Sequence, residues 1–355
     1  MIKWTFLFLL ITLVLSSCQS KTGTKNIDNK GNIIRYAKNL SIVENDGQTI
    51  IQILAPDDQK VENTYILDKN HKPFTKIAAL SSTHIGMLNK LDAISFVVGI
   101  SNSLYTYNKQ LLKKIGNGEV TELGEESQIP VESIIKSGTQ AIFYSGFGKG
   151  FPHEEQLKKA GVDCIVNYDW RELHPLGKAE WILLFGYLLG KEEIAQAYFD
   201  RIEKEYNQLK KEVSKVKDQP TVLSGNLWSD IWYTPAGESF HALMLDDAKA
   251  KYVYADTEGS GSLALTLEKV IKDNESTEFW INPGMPTKKM ILQSQKKIEF
   301  LNPMKNGNVY DYSKSGNLYW EMSAIEPQKV LSDYIKIFHP EKRLNTPFYF
   351  YYQVK

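Results

Sequence analysis

Apolar and polar positions divide the chain around one stretch, Leu176 to Val216. From Lys191 onward this stretch holds no Gly or Pro and is dense in good helix formers. Ile194, Tyr198, Ile202, Tyr206 and Leu209 fall at i, i+4, i+8, i+12 and i+15, which is one helical face. The spacing predicts a long, half-solvated helix over 191–218, a rod of about 38 Å at roughly 1.5 Å per residue. Pro220 forbids its continuation, and TVLSG (221–225) opens a strand.

Similar patterns lie on either side. In 73–190 the short apolar runs KIAAL (76–80), SFVVGI (95–100), QAIFY (140–144) and DCIV (163–166) alternate with helical segments through IGMLNKL, from Pro130 and from His153. In 219–355, TVLSG, EFWIN (278–282) and NVYDY (308–312) alternate with helices over Ser239–Asp246, from Thr266, after Pro286 and over Ala324–Phe338. Apolar strands without alternation belong to parallel sheets covered by helices on both faces. The fold class is therefore α/β, with two Rossmann-like lobes joined by a single long α-helix. Residues 33–72 alternate instead, around an Asn45-Asp46-Gly47 turn, and predict an N-terminal β-appendage. The aromatic tail RLNTPFYFYYQVK is expected to pack onto the body.

The N-terminus stands apart. Lys3 precedes an apolar run from Trp4 to Leu15 that is too short to span a bilayer comfortably and fits an export signal. Leu15-Ser16-Ser17-Cys18 resembles the lipobox of bacterial lipoproteins. That resemblance implies a signal peptide over 1–17, a lipid-bearing Cys18, a tether over 18–32, and a membrane-anchored lipoprotein facing the periplasm or cell exterior. Cys164, the only other cysteine, sits in GVDCIV and reads as a small apolar residue of a buried strand.

Composition narrows the chemistry. Lys plus Arg equals Asp plus Glu at 42 each, with no basic stripe, so nucleic acid is excluded as a partner. GFGKG (146–150) lacks the phosphate-loop spacing, no GxGxxG follows the first strand, His153-Glu154-Glu155 lacks a second His, and no GxSxG occurs. No metal set and no catalytic residue is assigned. An enzyme of chelatase-like or hydrolytic type on the same two-lobed form is the alternative, and it would need His84, Tyr168 and His174 to converge. Open parallel sheets bind ligands beyond the carboxyl ends of their strands. The residues there, together with aromatics of the second lobe, give a candidate ligand set of Ser82, Thr83, His84, Tyr144, Tyr168, Trp170, Trp228, Tyr233 and Trp320.

Four segments in order are similar to a known family. They are TKIAALSSTHIGMLNKLDAISFVVGIS, PVESIIKSGTQAIFYSG, HPLGKAEWILLFGYLLGKEEIAQAYF and LTLEKVI…EFWIN, spread over about residues 74–340. They resemble the ABC-importer substrate-binding proteins for ferric siderophores, haem and cobalamin, in which one rigid helix joins two lobes. Two departures are Lys136-Ser137-Gly138-Thr139-Gln140, where the family usually has a Lys-Pro-Asp turn, and the appendage itself. The resemblance implies a monomeric, non-enzymatic binder with no cofactor of its own. Its ligand would be a ferric chelate, haem or cobalamin, and its partners a permease and, through it, ATPase subunits. Tyr144 and Tyr233 stand where cobalamin-binding members carry cleft aromatics. Glu132 and Glu268, near equivalent helix starts, stand where members carry the carboxylates that dock on permease arginines.

Overall fold

The structure, a computed structural model, describes residues 31–147, 150–342 and 344–355. The expected signal peptide, Cys18 and the first stretch of the tether lie outside these. Residues 31–355 form one compact unit. The appendage is an antiparallel meander of β1 (Leu40–Asn45), β2 (Gln48–Leu54) and β3 (Val61–Leu67). Its first turn is closed by Asp46 and Gly47, both with positive φ (47° and 76°), so that Asn45 pairs with Gln48. Two left-handed residues in a two-residue loop match the right-handed twist of the flanking strands.

The first lobe holds β4 (Ile77–Ala79), β5 (Val97–Ile100), β6 (Thr121–Glu122), β7 (Ala141–Tyr144) and β8 (Asp163–Val166). They form one all-parallel sheet in the order β6-β5-β4-β7-β8. The second lobe holds β9 (Thr221–Ser224), an antiparallel ribbon of β10 (Asn226–Trp228), β11 (Ile231–Pro235) and β13 (Ser262–Thr266), and a second sheet. That sheet runs β12-β9-β14-β15-β16, with β12 at Lys251–Tyr252, β14 at Phe279–Ile281, β15 at Val309–Asp311 and β16 at Tyr352–Gln353. Only β16, from the aromatic tail, is antiparallel to its neighbour.

The helix joining the lobes runs Glu192–Val213, 22 residues, or about 33 Å. Its buried face is Ala195, Phe199, Ile202, Tyr206 and Val213, whereas Ile194 is 41% exposed. The helix is thus rotated from the expected face. The cause is a close crossing with the preceding helix Ile182–Leu189, where a Cβ on Gly186 would lie 2.4 Å from that of Ala195. The closing helix begins at Pro327, not Ala324, because a separate helix Gly316–Met322 precedes it.

That extra helix stitches the lobes. It crosses helix Ser82–Lys90 of the first lobe so closely that a Cβ on Gly86 would sit 1.8 Å from the Glu321 carbonyl oxygen. The Glu321 carboxylate accepts the backbone N–H groups of Tyr107 and, at 2.9 Å, Asn108. Asn317 Nδ2 donates to the Leu104 carbonyl at 2.8 Å, and Lys90 pairs with Glu326 at 3.1 Å. Gly86→Ala should therefore destabilise the fold by about 1–3 kcal/mol or more, since the added methyl group must push the crossing helices away from each other. Gly116→Ala, in a helix with nothing within 4 Å, should stabilise by about 0.4–1 kcal/mol. Urea denaturation of the pair checks this, and equal effects would show that the crossing is slack.

Candidate functional site

The carboxyl ends of β4, β7 and β8 bring Thr83, Phe147, Asp169 and Trp170 to one edge of the first sheet. Opposite them stand Phe240, His241 and Met244 of helix Phe240–Asp247, with Tyr319, Trp320 and Ser323 in and just after helix Gly316–Met322. They enclose a cavity of about 370 Å³, floored by Pro175 and Lys178 of helix Pro175–Glu180. A second depression of about 270 Å³ adjoins it through Thr83, Phe147, Asp169 and Trp170, and is hydroxyl-rich (Ser81, Ser82, Ser101, Tyr105). A depression of about 400 Å³ lies between helices Glu192–Val213 and Pro327–Phe338, and two of about 550 and 650 Å³ take in Gln219, Lys251 and Glu278 near the strand starts of the second sheet. Those are the edges away from the carboxyl ends, where ligands of open sheets do not bind.

The chemistry of the interlobe cavity centres on three polar groups in apolar surroundings. Lys178 is 8% exposed; its ammonium donates to the Asp169 carbonyl at 3.0 Å and stands 4.3 Å from the Phe240 ring centroid. Burial pulls its pKa down, and the charges of Asp169 and Glu172 oppose that. Asp169 is 2% exposed, and its Oδ2 is buried without a hydrogen-bond partner among the described residues. Burial pushes its carboxyl up, against the pull of Lys178. His241 Nδ1 is also buried and unpartnered; burial, then Lys178, lowers the imidazole to about 4, so the ring is neutral at pH 7.

Phe147 and Trp170 form the first-lobe wall. Their rings lie 4.7 Å apart, and Trp170 Nε1 donates to the Ser145 carbonyl at 2.6 Å. The appendage braces this wall from behind. Arg171, 5.3 Å from the Trp170 ring, pairs with Asp57 at 2.6 Å, and Tyr168 donates to Glu62 at 2.8 Å. The Tyr168 ring packs so tightly on Gly146 (φ 63°) that a Cβ there would come within 2.8 Å of it.

Of the residues chosen from sequence, Thr83, Trp170 and Trp320 line the cavity and Ser82 the adjoining depression. Tyr168 supports the wall without lining it. Tyr144 lies in the core beside Phe151, with ring centroids 5.1 Å apart. Trp228 and Tyr233 are exposed on the antiparallel ribbon and line neither depression. His84 is a correction: it is fully buried against Phe143 and Phe185, because one residue after Thr83 the helix has turned about 100° into the core. His84, Tyr168 and His174 do not converge; His174 caps the helix start by accepting from Leu176 N at 3.1 Å. Among the described residues no group of three or more His, Cys, Asp or Glu is placed to hold a metal. Sequence reasoning missed Asp169, Lys178, Phe240 and His241. Lys178 and Glu180 did leave a signal, as the two charges in an otherwise apolar LGKAEWILLFG run. Glu132 and Glu268 are both exposed in first helical turns, Glu268 within 3.0 Å of Lys297.

A family model described as "Periplasmic binding protein" matches residues 77–315. The chain is 25% identical over 296 residues to "Uncharacterized lipoprotein MJ0878" of Methanocaldococcus jannaschii, covering 80% of this chain and 70% of that protein. Its fold is similar to that of a possible iron-binding (periplasmic solute-binding) protein from Staphylococcus epidermidis, with TM-score 0.59, 18% identity, and coverage of 76% of this chain and 100% of that one. It is likewise similar to the periplasmic heme binding protein HutB of Vibrio cholerae, with TM-score 0.59, 13% identity, and coverage of 73% and 98%.

The buried His84 carries a pH signature. Among the described residues neither ring nitrogen has a hydrogen-bond partner, and burial depresses its pKa from 6.5 to about 3. Between those values the unfolded chain binds the proton and the folded chain refuses it. Stability is therefore lost as pH falls below 6.5, by up to about 1.4 kcal/mol per pH unit. His84→Leu should narrow the stability difference between pH 7 and pH 5 by roughly 2 kcal/mol. Urea midpoints at the two pH values test this, and an unchanged difference would place the acid sensitivity elsewhere.

Proposed function

Because the chain belongs to the periplasmic binding protein family, whose members are solute-binding proteins and not enzymes, we propose that it is the substrate-binding lipoprotein of an ABC importer. It captures a ferric chelate, haem or cobalamin between its lobes and hands it to the membrane permease. The family works outside the cytoplasm, and the Leu15–Cys18 tetrapeptide, with a relative described as a lipoprotein, supports a lipid anchor at Cys18. Among the described residues no helix is long and apolar enough to cross a membrane.

The observation that carries this reading is the cavity between the lobes. Aromatic and aliphatic walls with a few convergent polar groups are the general form of a small-molecule site. Similar solved structures are described as iron-binding and heme-binding proteins, which supports a chelate or haem ligand. Titration with haemin, cyanocobalamin and a ferric catecholate, read by tryptophan quenching, is expected to give one tight binder. Trp170→Ala and Trp320→Ala should each weaken it at least tenfold, since exposed aromatic rings that a ligand stacks on and covers anchor such interfaces. Unchanged affinity in both variants would remove the cleft from the binding role.

Docking rests on Glu132 and Glu268. A glutamate in a first turn meets the positive end of the helix dipole, so its presence there needs no partner. Their equivalent positions in the two lobes, exposure and resemblance to family docking residues favour contact with one permease subunit each. Lobes held by the helix Glu192–Val213 keep the two charges at fixed spacing, so the second contact gains from effective concentration. The double variant Glu132→Ala, Glu268→Ala should keep ligand affinity and lose uptake through the cognate permease. Uptake at the wild-type rate with equal protein level would end the docking role.

A further inference from the structure

Two polar groups of the interlobe cavity, Asp169 and Lys178, restrict what the ligand can present to them. Among the described residues, Asp169 Oδ2 is a buried acceptor with no hydrogen-bond donor. A group left so in a bound complex costs its full desolvation, so the ligand must bring an N–H or O–H. Lys178 has three N–H donors and one protein acceptor among its hydrogen bonds, the Asp169 carbonyl at 3.0 Å, so the ligand must also bring an acceptor. Because Lys178 is bonded to Asp169's own carbonyl, both demands arise at one place on the cavity wall.

Charge decides between the groups that could answer. Glu172, 2% exposed, is already satisfied by the N–H groups of Lys38, Asn39 and Trp181 at 2.9, 3.0 and 3.1 Å. Two carboxylates therefore already act on one ammonium. A ligand carboxylate would answer Lys178 but add a third negative charge beside Asp169. A ligand ammonium would answer Asp169 but face Lys178. In the dry surroundings of Phe240, Met244 and Val330 such mismatches are poorly screened. A neutral group with one donor and one acceptor answers both and adds no charge.

On the reading that the interlobe cleft holds the ligand, we propose that the ligand presents a primary-carboxamide type of group to Asp169 and Lys178, and neither a carboxylate nor an ammonium. Among the three ligand classes this favours a corrinoid, whose periphery carries carboxamides, over haem, whose polar edge is two carboxylates.

Three nearly isosteric probes test it on the full chain at pH 7: phenylacetamide, phenylacetate and phenethylamine, with binding followed by NMR titration. Phenylacetamide should bind at least tenfold tighter than either ion. In Asp169→Asn the preference over phenylacetate should shrink at least tenfold, because the new amide can donate to a carboxylate. In Lys178→Met, phenylacetamide should weaken at least fivefold while phenethylamine improves. Circular dichroism confirms that each variant folds, and Lys178→Met carries the test if Asp169→Asn does not fold. No phenylacetamide binding, equal or tighter binding of either ion, or an unchanged preference in a folded variant overturns the proposal. If the small probes discriminate as stated while haemin, cyanocobalamin and the ferric catecholate all fail to bind, the transport ligand was misassigned and the site's chemistry stands. The reverse result leaves the transport reading and removes the carboxamide.

Discussion

Buried carboxylates that grip the backbone of distant segments hold this molecule in one shape. Glu180, fully buried, accepts the N–H groups of Arg35, Tyr36 and Ala37 at 2.7, 2.7 and 2.8 Å. Glu172 takes the next two, Lys38 and Asn39. Glu321 takes Tyr107 and Asn108, and Asp333 takes Tyr349, Phe350 and Tyr351 of the tail. Each target is irregular backbone with no ladder partner of its own, and an unpaired buried amide is as costly as a lost hydrogen bond. A carboxylate has about four lone-pair sites and no donor, so one side chain satisfies several such amides with strong, charge-assisted bonds. Burial pushes the carboxyls of Glu180, Glu321 and Asp333 up while the amides pull them back down. The same groups that bear that desolvation fix the geometry of the segments whose amides they accept.

The consequence is that the two lobes are tied to each other on both sides of the cavity. Glu321 belongs to the helix after β15 of the second lobe yet holds Tyr107 and Asn108 of the first. Together with the Gly86 crossing, it leaves the lobes no free hinge on that side, and the helix Glu192–Val213 closes the other. Tyr206 of that helix donates to Asp247 at 2.7 Å, and Lys210 pairs with the same carboxylate, so it is fastened to the second lobe by more than packing. A preformed cavity avoids some of the ordering cost of binding. On the proposed binding role, a buried polar group on such a wall, Asp169 Oδ2 among them, would bear on selection.

Much of the fold was legible because parallel strands buried on both faces write themselves as apolar runs; DCIV coincides with β8, and the other principal strands differ by at most two residues at one or both ends. The antiparallel ribbon was not legible. Its hairpin turns on Ser229 and Asp230, both with positive φ (48° and 64°), a conformation that Asn-Gly or Gly-Gly would have signalled and Ser-Asp does not. Helix Gly316–Met322 was missed because it is seven residues long and opens on Gly-Asn. At the site, the rule that ligand residues follow strands led to loops that do border the cavity, but to only some of the side chains that line it. Successive residues there point in different directions, so Thr83 meets the cavity and His84 the core. Lys178 and His241 come from helices, where no such rule applies.

The turn Asp169–Arg171 shows why neighbouring aromatics received different roles. Trp170 faces the cavity. Tyr168, two residues earlier, is turned back, where its ring fills the space left by Gly146 and its hydroxyl reaches Glu62 of β3. Without the appendage that hydroxyl would be a polar group on an exposed sheet flank; with it, the flank is covered, and Tyr65 reaches the Cys164 carbonyl of β8 at 3.4 Å. An edge strand needs cover, and here the cover also bears on the cavity wall, through Asp57 to Arg171 and Glu62 to Tyr168. The Asp57–Arg171 pair is exposed and worth little by itself. Its effect is geometric, since a planar guanidinium held at one end keeps its other face against Trp170. The meander that departs from the general family plan is thus built into the side of the cleft that carries Phe147, Asp169 and Trp170, and the Glu172 and Glu180 clamps are what keep it there.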